Sequence, residues 1–566
     1  MDETQNANQI GRDALAKWQQ AIQHNVYTSD NDFIHTIRYY FKENFDKINA
    51  ELEKFGLRVA TELEPLVALN HNNLPQLVAY DGIGDRVDQV AHHPSYAQAG
   101  DIIYSSQLMA KIAKPGGLLE GLSLFFLSSH AGEAGHNCPI ACSAGIMRVL
   151  RKVPEVPNST VYLEKLTSPS YKTNFTGAQF LTEVQGGSDV GLNATRATQE
   201  SDNLWRIQGE KWFCSNAGAE LIFITARYDE KIPGTKGLGL FLIPAEWQGA
   251  KNHYTLRRLK EKFGTRTMAT AEIDFHGAYA YQVGQLDQGI NLVMDNVLHI
   301  SRLFNSFCVL GMAHRAYTLA RDYAKNRVAF SHPILDYPLV QEILAKIKTE
   351  NMAMIAGIYA TTRLQDQLDS TNTPDENSKL LVRLLVNIQK YLTAINSVEH
   401  IHQALGILAG NGTIETFSSF PRLFSDCIVC ENWEGTHNVL RAQVLRDIHK
   451  FDIDKVYFAY MHDEIKKIPS SNSQIITDEL LGLEQEMLLF RKLDQAVQAL
   501  QIRLIVDRMA TLFCSLRLLF EAIDQEKTQA STVKLDCFKY YCLLHLGKKD
   551  IPYNSDYLKL ITRIIA

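Results

Sequence analysis

The sequence predicts a mainly α protein with a central β-domain and an appended C-terminal helical subdomain. Helical spacing of apolar residues dominates both flanks of the chain, whereas from about 178 to 285 short β-branched and aromatic runs alternate with turn residues. Size adds a third constraint, because 566 residues exceed what one small core organises and point to two to four domains.

Residues 8 to about 60 and 105 to 152 read as helices, with Phe33, Ile37, Tyr40 and Phe41 at three- and four-residue spacing. Residues 74–99, rich in Pro, Gly, Asp and His, are expected to be largely loop. The runs Trp205-Arg206-Ile207, Leu221-Ile222-Phe223-Ile224-Thr225 and Leu238-Gly239-Leu240-Phe241-Leu242-Ile243 predict a small antiparallel β-domain. Helical periodicity returns from about 289 to 449, broken by a polar surface loop at 369–378. A second break at 468–473 precedes one long amphipathic stretch from Thr477 to about Ala522. The expected division is an N-terminal helical domain at 1–177, the β-domain at 178–285, a helical bundle at 286–450 and the appended subdomain at 451–566.

Composition narrows the function classes. With 46% hydrophobic and 21% charged residues the chain is a compact folded protein, and a net charge of −6 gives no global field to gather nucleic acid or an anionic membrane. Residues 451–566 hold 15 Lys/Arg against 16 Asp/Glu, a net of −1, so DNA is not an expected partner. The start, Met1-Asp2-Glu3-Thr4-Gln5-Asn6, is polar and acidic where a secretory signal is basic and then apolar. No run reaches the roughly 18 apolar residues of a membrane span, so a cytoplasmic protein is expected. Nine cysteines, an odd number at low density, fit reduced thiols. The lone Cys427-Ile428-Val429-Cys430 reads as structural, and no metal site is expected.

Chemistry concentrates in two segments about 250 residues apart. In Glu431-Asn432-Trp433-Glu434-Gly435-Thr436-His437-Asn438, one carboxylate stands between an aromatic wall and a tight turn, a setting that suits a proton-abstracting base. Upstream, Leu181-Thr182-Glu183-Val184-Gln185-Gly186-Gly187-Ser188-Asp189-Val190 combines small hydroxyl residues with paired glycines, which permits close backbone approach to a ligand. No Walker A or GxGxxG motif occurs, so a dinucleotide here is not held by a Rossmann fingerprint.

The ordered set Thr182-Glu183 with Gly187-Ser188-Asp189, Gly209-Glu210-Lys211-Trp212-Phe213-Cys214-Ser215-Asn216, Arg327 with Phe330, Gly410-Asn411-Gly412 and Glu434-Gly435-Thr436 resembles the acyl-CoA dehydrogenases over about residues 105 to 449. Asp426 stands eight residues before Glu434, as an acid does in that family. The resemblance implies a helical domain, a β-domain and a helical bundle, with FAD held between subunits of a homodimer or homotetramer. It assigns Glu434 as the base that removes an α-proton from an acyl-CoA thioester while flavin N5 takes the β-hydride. It places Arg302 near that base. Thr182 and Ser188 are implied to contact the flavin ring and the pyrophosphate or pantetheine region. Phe213 and Ser215 stand where the family has a ring-covering aromatic and a hydroxyl beside N5. Arg327 with Phe330, and Gly410, Asn411 and Gly412, are implied to reach a neighbouring subunit's FAD, although Gly406 replaces a commonly found Gln. Thr436 and Asn438 complete the flavin site, and an electron-transfer flavoprotein is the implied electron acceptor.

Within that family, Pro75-Gln76-Leu77, Tyr80-Asp81-Gly82-Ile83-Gly84-Asp85-Arg86-Val87-Asp88, His92-His93-Pro94, Cys138-Pro139-Ile140 and Trp433 before the base resemble the AidB-like branch. That branch implies a flavoprotein that binds DNA through a basic C-terminal region and has weak dehydrogenase activity. Three functions therefore stand open: an acyl-CoA dehydrogenase of fatty acid metabolism forming a trans-2-enoyl-CoA, an AidB-like flavoprotein with a DNA- or protein-binding role, and an acyl-CoA oxidase.

Overall fold

The computed structural model describes residues 3–529, 531–547 and 554–565; residues 1 and 2, the outermost part of the polar N-terminus, lie outside it. The chain divides into two compact units that cut across the expected boundaries. One comprises Glu62–Ser128 and Gly132–Phe304, the other Met1–Thr61, Ser129–Ala131 and Asn305–Ala566.

In the first unit helices surround a seven-stranded sheet. Strands Leu204–Ser215 and Thr270–Gln282 pair antiparallel over most of their length. Strand Leu238–Pro244 pairs with both Leu221–Arg227 and Thr270–Gln282, so the sheet curls back on itself. Its interior is apolar, with Phe180, Ile207, Ile222, Ile224, Phe241, Ile243 and Ile273 fully buried. The sheet is not wholly antiparallel as expected: Gly177–Phe180 runs parallel to Leu221–Arg227.

Residues 74–99 also depart from the loop expectation. Gln76–Tyr80 and Arg86–Ala91 form an antiparallel hairpin, and a helix begins at Pro94. The intervening polar residues make the turn, where one Asp81 carboxylate oxygen accepts the Ile83 and Asp85 amides at 2.9 Å each. Asp88 accepts the Leu256 amide at 3.1 Å, fastening the hairpin to strand Tyr254–Leu259.

Among the described residues the second unit is helical apart from one short hairpin. Helices Pro338–Asp369, Glu376–Leu408, Phe420–Asn432 and His437–Phe451 share a core with Gln495–Gln529, Val533–His545 and Ser555–Ile565. The surface loop expected at 369–378 lies between the first two of these helices. The stretch expected to run unbroken from Thr477 is instead two helices, Ser470–Phe490 and Gln495–Gln529. Gln498 covers the break, donating to the carbonyls of Phe490, Arg491 and Leu493. Among the described residues no helix is long and apolar enough to cross a membrane.

Candidate active site

The Phe420–Asn432 helix delivers Glu434. Trp433 leaves the helix in an extended conformation, φ −84° and ψ 171°, and rests against the apolar core. Glu434 then adopts the left-handed region at φ 58°, and Gly435 follows at φ 102°. For a residue with a Cβ that conformation costs about 1–2 kcal/mol, so contacts from outside must hold the turn. Lys390, fully buried on the Glu376–Leu408 helix, donates from Nζ to the carbonyl oxygens of Glu431 at 2.9 Å and Gly435 at 3.0 Å. The Asn305 side-chain amide donates to the Cys430 carbonyl at 2.8 Å, and the His437 ring meets the Glu431 carboxylate at 2.5 Å. The result is a half-buried carboxylate on a fixed turn.

Other expected residues of this unit surround distinct turns. Thr436 caps the His437–Phe451 helix through its backbone, and both Thr436 and Asn438 are exposed. Gly410, Asn411 and Gly412 form a short helical turn at Ala409–Thr413, where the Asn411 amide donates to the Tyr323 hydroxyl at 3.1 Å. A Cβ at Gly406 would meet nothing within 4 Å. Arg327 precedes a hairpin of Val328–Ala329 and His332–Pro333, with Phe330 and Ser331 at its tip in left-handed conformations, φ 51° and 70°. Phe330 is 91% exposed. A large apolar side chain on a constrained tip suits burial against another surface.

The β-domain unit holds the remaining candidates. The Thr182 carbonyl accepts the Trp212 amide at 3.0 Å. Gly186 has φ 135°, and a Cβ on Gly187 would fall 2.5 Å from Thr182 Oγ1, so the turn before exposed Ser188 has room only for glycine backbone. That cradle, with hydroxyls on either side, fits a bulky cofactor approaching main-chain amides. Phe213 is 52% exposed and presents its ring outward, while Ser215 Oγ lies 3.4 Å from Thr270 Oγ1. Lys260 stands 3.4 Å from the Trp212 ring centroid and 4.9 Å from that of Phe213, held by an ion pair with Glu272 at 2.7 Å. Arg302 is buried on the His299–Asn326 helix.

Sequence reasoning assigned no role to the pair that supports the cradle. Buried Glu183 accepts from Lys211 Nζ at 2.7 Å, the Ala194 amide at 2.6 Å and the Thr195 amide at 3.1 Å. Burial alone would raise its pKa, but the Lys211 ammonium and these donors outweigh it and hold the carboxyl down at about 2. Lys211 is fully buried, and Leu181 O accepts from it at 3.3 Å. Lys390 was missed too. The available signal was a lysine among Leu384, Leu385, Val386, Ile388 and Tyr391, where an uncompensated cation is costly. The Cys427 and Cys430 thiols are buried, which pushes both pKa values well above the usual thiol range.

Residues 178–278 match the middle domain of acyl-CoA dehydrogenases, and 287–449 match their C-terminal domain. The chain belongs to the acyl-CoA dehydrogenase family. Residues 17–173 match the N-terminal domain of the adaptive response protein AidB. Acyl-CoA dehydrogenase family member 11 of Caenorhabditis elegans is 29% identical over 442 residues, 75% of this chain and 70% of that protein. AidB of Escherichia coli (strain K12) is 27% identical over 443 residues, 75% of this chain and 78% of that one. The crystal structure of Caenorhabditis elegans ACDH-11 in complex with C11-CoA superposes with a TM-score of 0.86 at 25% identity, covering 96% of this chain and 95% of that one. A Bacillus anthracis acyl-CoA dehydrogenase complexed with FAD shares the fold at a TM-score of 0.70 and 17% identity, covering 93% and 91%. As a member of the acyl-CoA dehydrogenase family, the protein takes FAD as its cofactor.

Proposed function

We propose that this member of the acyl-CoA dehydrogenase family oxidises an acyl-CoA thioester to the trans-2-enoyl-CoA, with Glu434 as the base. The fixed turn supports the reading: a half-buried carboxylate beside Trp433, on a turn whose backbone Lys390 holds on both sides, suits a positioned base. An α-hydrogen of a thioester is weakly acidic, so its removal needs a positioned base and a polarised carbonyl. Bound FAD supplies the acceptor for the β-hydride. Thr182, Ser188, Phe213 and Ser215 would hold and cover the flavin. Arg327, Phe330 and Gly410 to Gly412 would serve the FAD of a neighbouring copy in a homodimer or homotetramer, the guanidinium matching a pyrophosphate with its planar fork. Thr436 and Asn438 would close the flavin site, and Arg302 would favour the ionised base. The relative solved with C11-CoA supports a thioester as the substrate class.

Glu434→Gln tests this. The amide keeps the shape but cannot accept the α-proton, so FAD should stay bound while anaerobic bleaching by acyl-CoA slows by at least 10²- to 10⁴-fold. Bleaching at the wild-type rate would remove Glu434 from the role. The match to the AidB N-terminal domain favours a second reading, a flavoprotein whose main partner is DNA or protein. Wild-type flavin that no acyl-CoA bleaches would favour it. Hydrogen peroxide formed in step with enoyl-CoA would instead mark an oxidase, and enoyl-CoA formed without it would exclude that reading.

A further inference from the structure

We infer that Lys390 is a positioning residue for the base, acting by clamping the peptide turn that carries Glu434; this rests on the reading of Glu434 as the base. The Phe420–Asn432 helix ends with carbonyl groups that no further turn can satisfy. A C-terminal glycine in the left-handed conformation is the common solution, but here the first left-handed residue after the helix is Glu434 itself. The turn therefore presents its carboxylate in a conformation that its own backbone does not favour.

Lys390 supplies what the turn lacks. Its ammonium bridges the carbonyl three residues before Glu434 and the carbonyl one residue after, at 2.9 and 3.0 Å, from a side chain with no exposed surface. A cation at a helix C-terminus also meets the negative end of the helix dipole. The Asn305 bond to the Cys430 carbonyl fixes only the helix side, so it cannot hold Gly435. The His437–Glu431 contact crosses Glu434 through side chains, whereas Lys390 holds the backbone carbonyls on both sides of it. Its loss should leave the carboxylate present but free to leave the reactive geometry, where a displacement of about 1 Å costs on the order of 10²-fold in rate.

The test uses full-length holoprotein with an acyl-CoA that bleaches the wild type. In Lys390→Met, FAD stoichiometry should hold and thioester affinity should stay within about threefold, while the anaerobic bleaching rate falls roughly 100-fold. Lys390→Arg, which keeps a cation able to donate to both carbonyls, should recover at least about tenfold of that loss. A Met variant that bleaches within about threefold of wild type overturns the clamp. So does an Arg variant no faster than Met, or a rate loss matched by FAD loss. If Met does not accumulate as holoprotein, Arg must accumulate and bleach within about tenfold of wild type; failure of both assigns Lys390 to folding and overturns the proposal. Glu434→Gln bleaching at the wild-type rate would instead sink the role of Glu434, whatever Lys390 does.

Discussion

Replacing Glu183 with Gln should destabilise the β-domain unit and release FAD, because it strands a buried cation. The Ala194 amide bonds Oε2 and the Thr195 amide Oε1, so the carboxamide keeps an acceptor for only one of them and leaves the Lys211 ammonium, 0% exposed, facing a neutral group. Removing one partner of a buried ion pair costs about 3–5 kcal/mol. Lys211 retains the Leu181 carbonyl at 3.3 Å, which favours the lower end. About 3 kcal/mol is roughly a hundredfold in the folding equilibrium and a fall of about 6–12 °C in the melting midpoint. Thermal scanning with intrinsic flavin fluorescence reads both effects at once. Adding Lys211→Met removes the stranded charge and should restore most of the midpoint. A single variant melting within about 2 °C of wild type with full FAD, the range of a surface substitution, would refute the reasoning.

Acid should weaken the same unit in two stages. Burial draws His92 and His136 down to about 4 from 6.5, so the neutral rings' stabilisation is present above pH 6.5 and is lost as pH falls towards 4. Glu183, held at about 2 against 4.5, contributes above pH 4.5 and loses that contribution as pH falls towards 2. His136→Phe should shrink the difference between melting midpoints at pH 7 and pH 5; an unchanged difference would exclude the histidine. Arg327→Ala should loosen FAD and assembly together, read by absorbance and gel filtration, and a variant that loses neither would place Arg327 outside the cofactor site. Affinity for random duplex DNA should be weak at about 150 mM salt, and tight binding abolished by deleting residues 451–566 would contradict the charge argument.

The sequence was legible where structure is local. Runs such as Leu221 to Thr225 are strands because β-branched and aromatic residues suit a buried sheet, and the same composition marks them before any pairing is known. Glu434 was legible as a candidate because an aromatic residue, an acid, Gly and Thr stand together in four positions. The hairpin at 76–91 was hidden because its turn, Asp81 to Asp85, dominates the composition, while the exposed positions of Gln76–Tyr80 carry Val78 and Tyr80, so burial alternates but polarity does not. The parallel strand Gly177–Phe180 could not be read, since its partner lies more than 40 residues away and only pairing defines direction. Lys390 was silent for the same reason: its carbonyl partners are 41 and 45 residues downstream.

Distance in sequence also disguises residues 451–566. The break at 468–473 and the helical stretch after it marked an appended helical segment, and its charges are engaged with neighbours inside one helical unit. Arg491 pairs with Asp452 at 2.8 Å, Arg508 with Glu479 at 3.1 Å, Arg517 with Glu464 at 2.9 Å and Arg563 with Asp536 at 2.8 Å. Buried Lys534 binds Glu521, which accepts from Thr36 of the Asn31–Phe41 helix at 2.7 Å, and Gln525 donates to Asp32 of the same helix at 2.8 Å. These bonds join positions nearly 500 residues apart, so the segment closes the N-terminal helix into the bundle core. Each engaged cation must leave its acid before it can displace a counterion from a phosphate, and for the buried ones that step strands the acid in a low-dielectric interior. Pairing leaves the net of −1 unchanged but lowers the number of free cations below 15, and the basic residues of 451–566 serve first to hold the helical unit together.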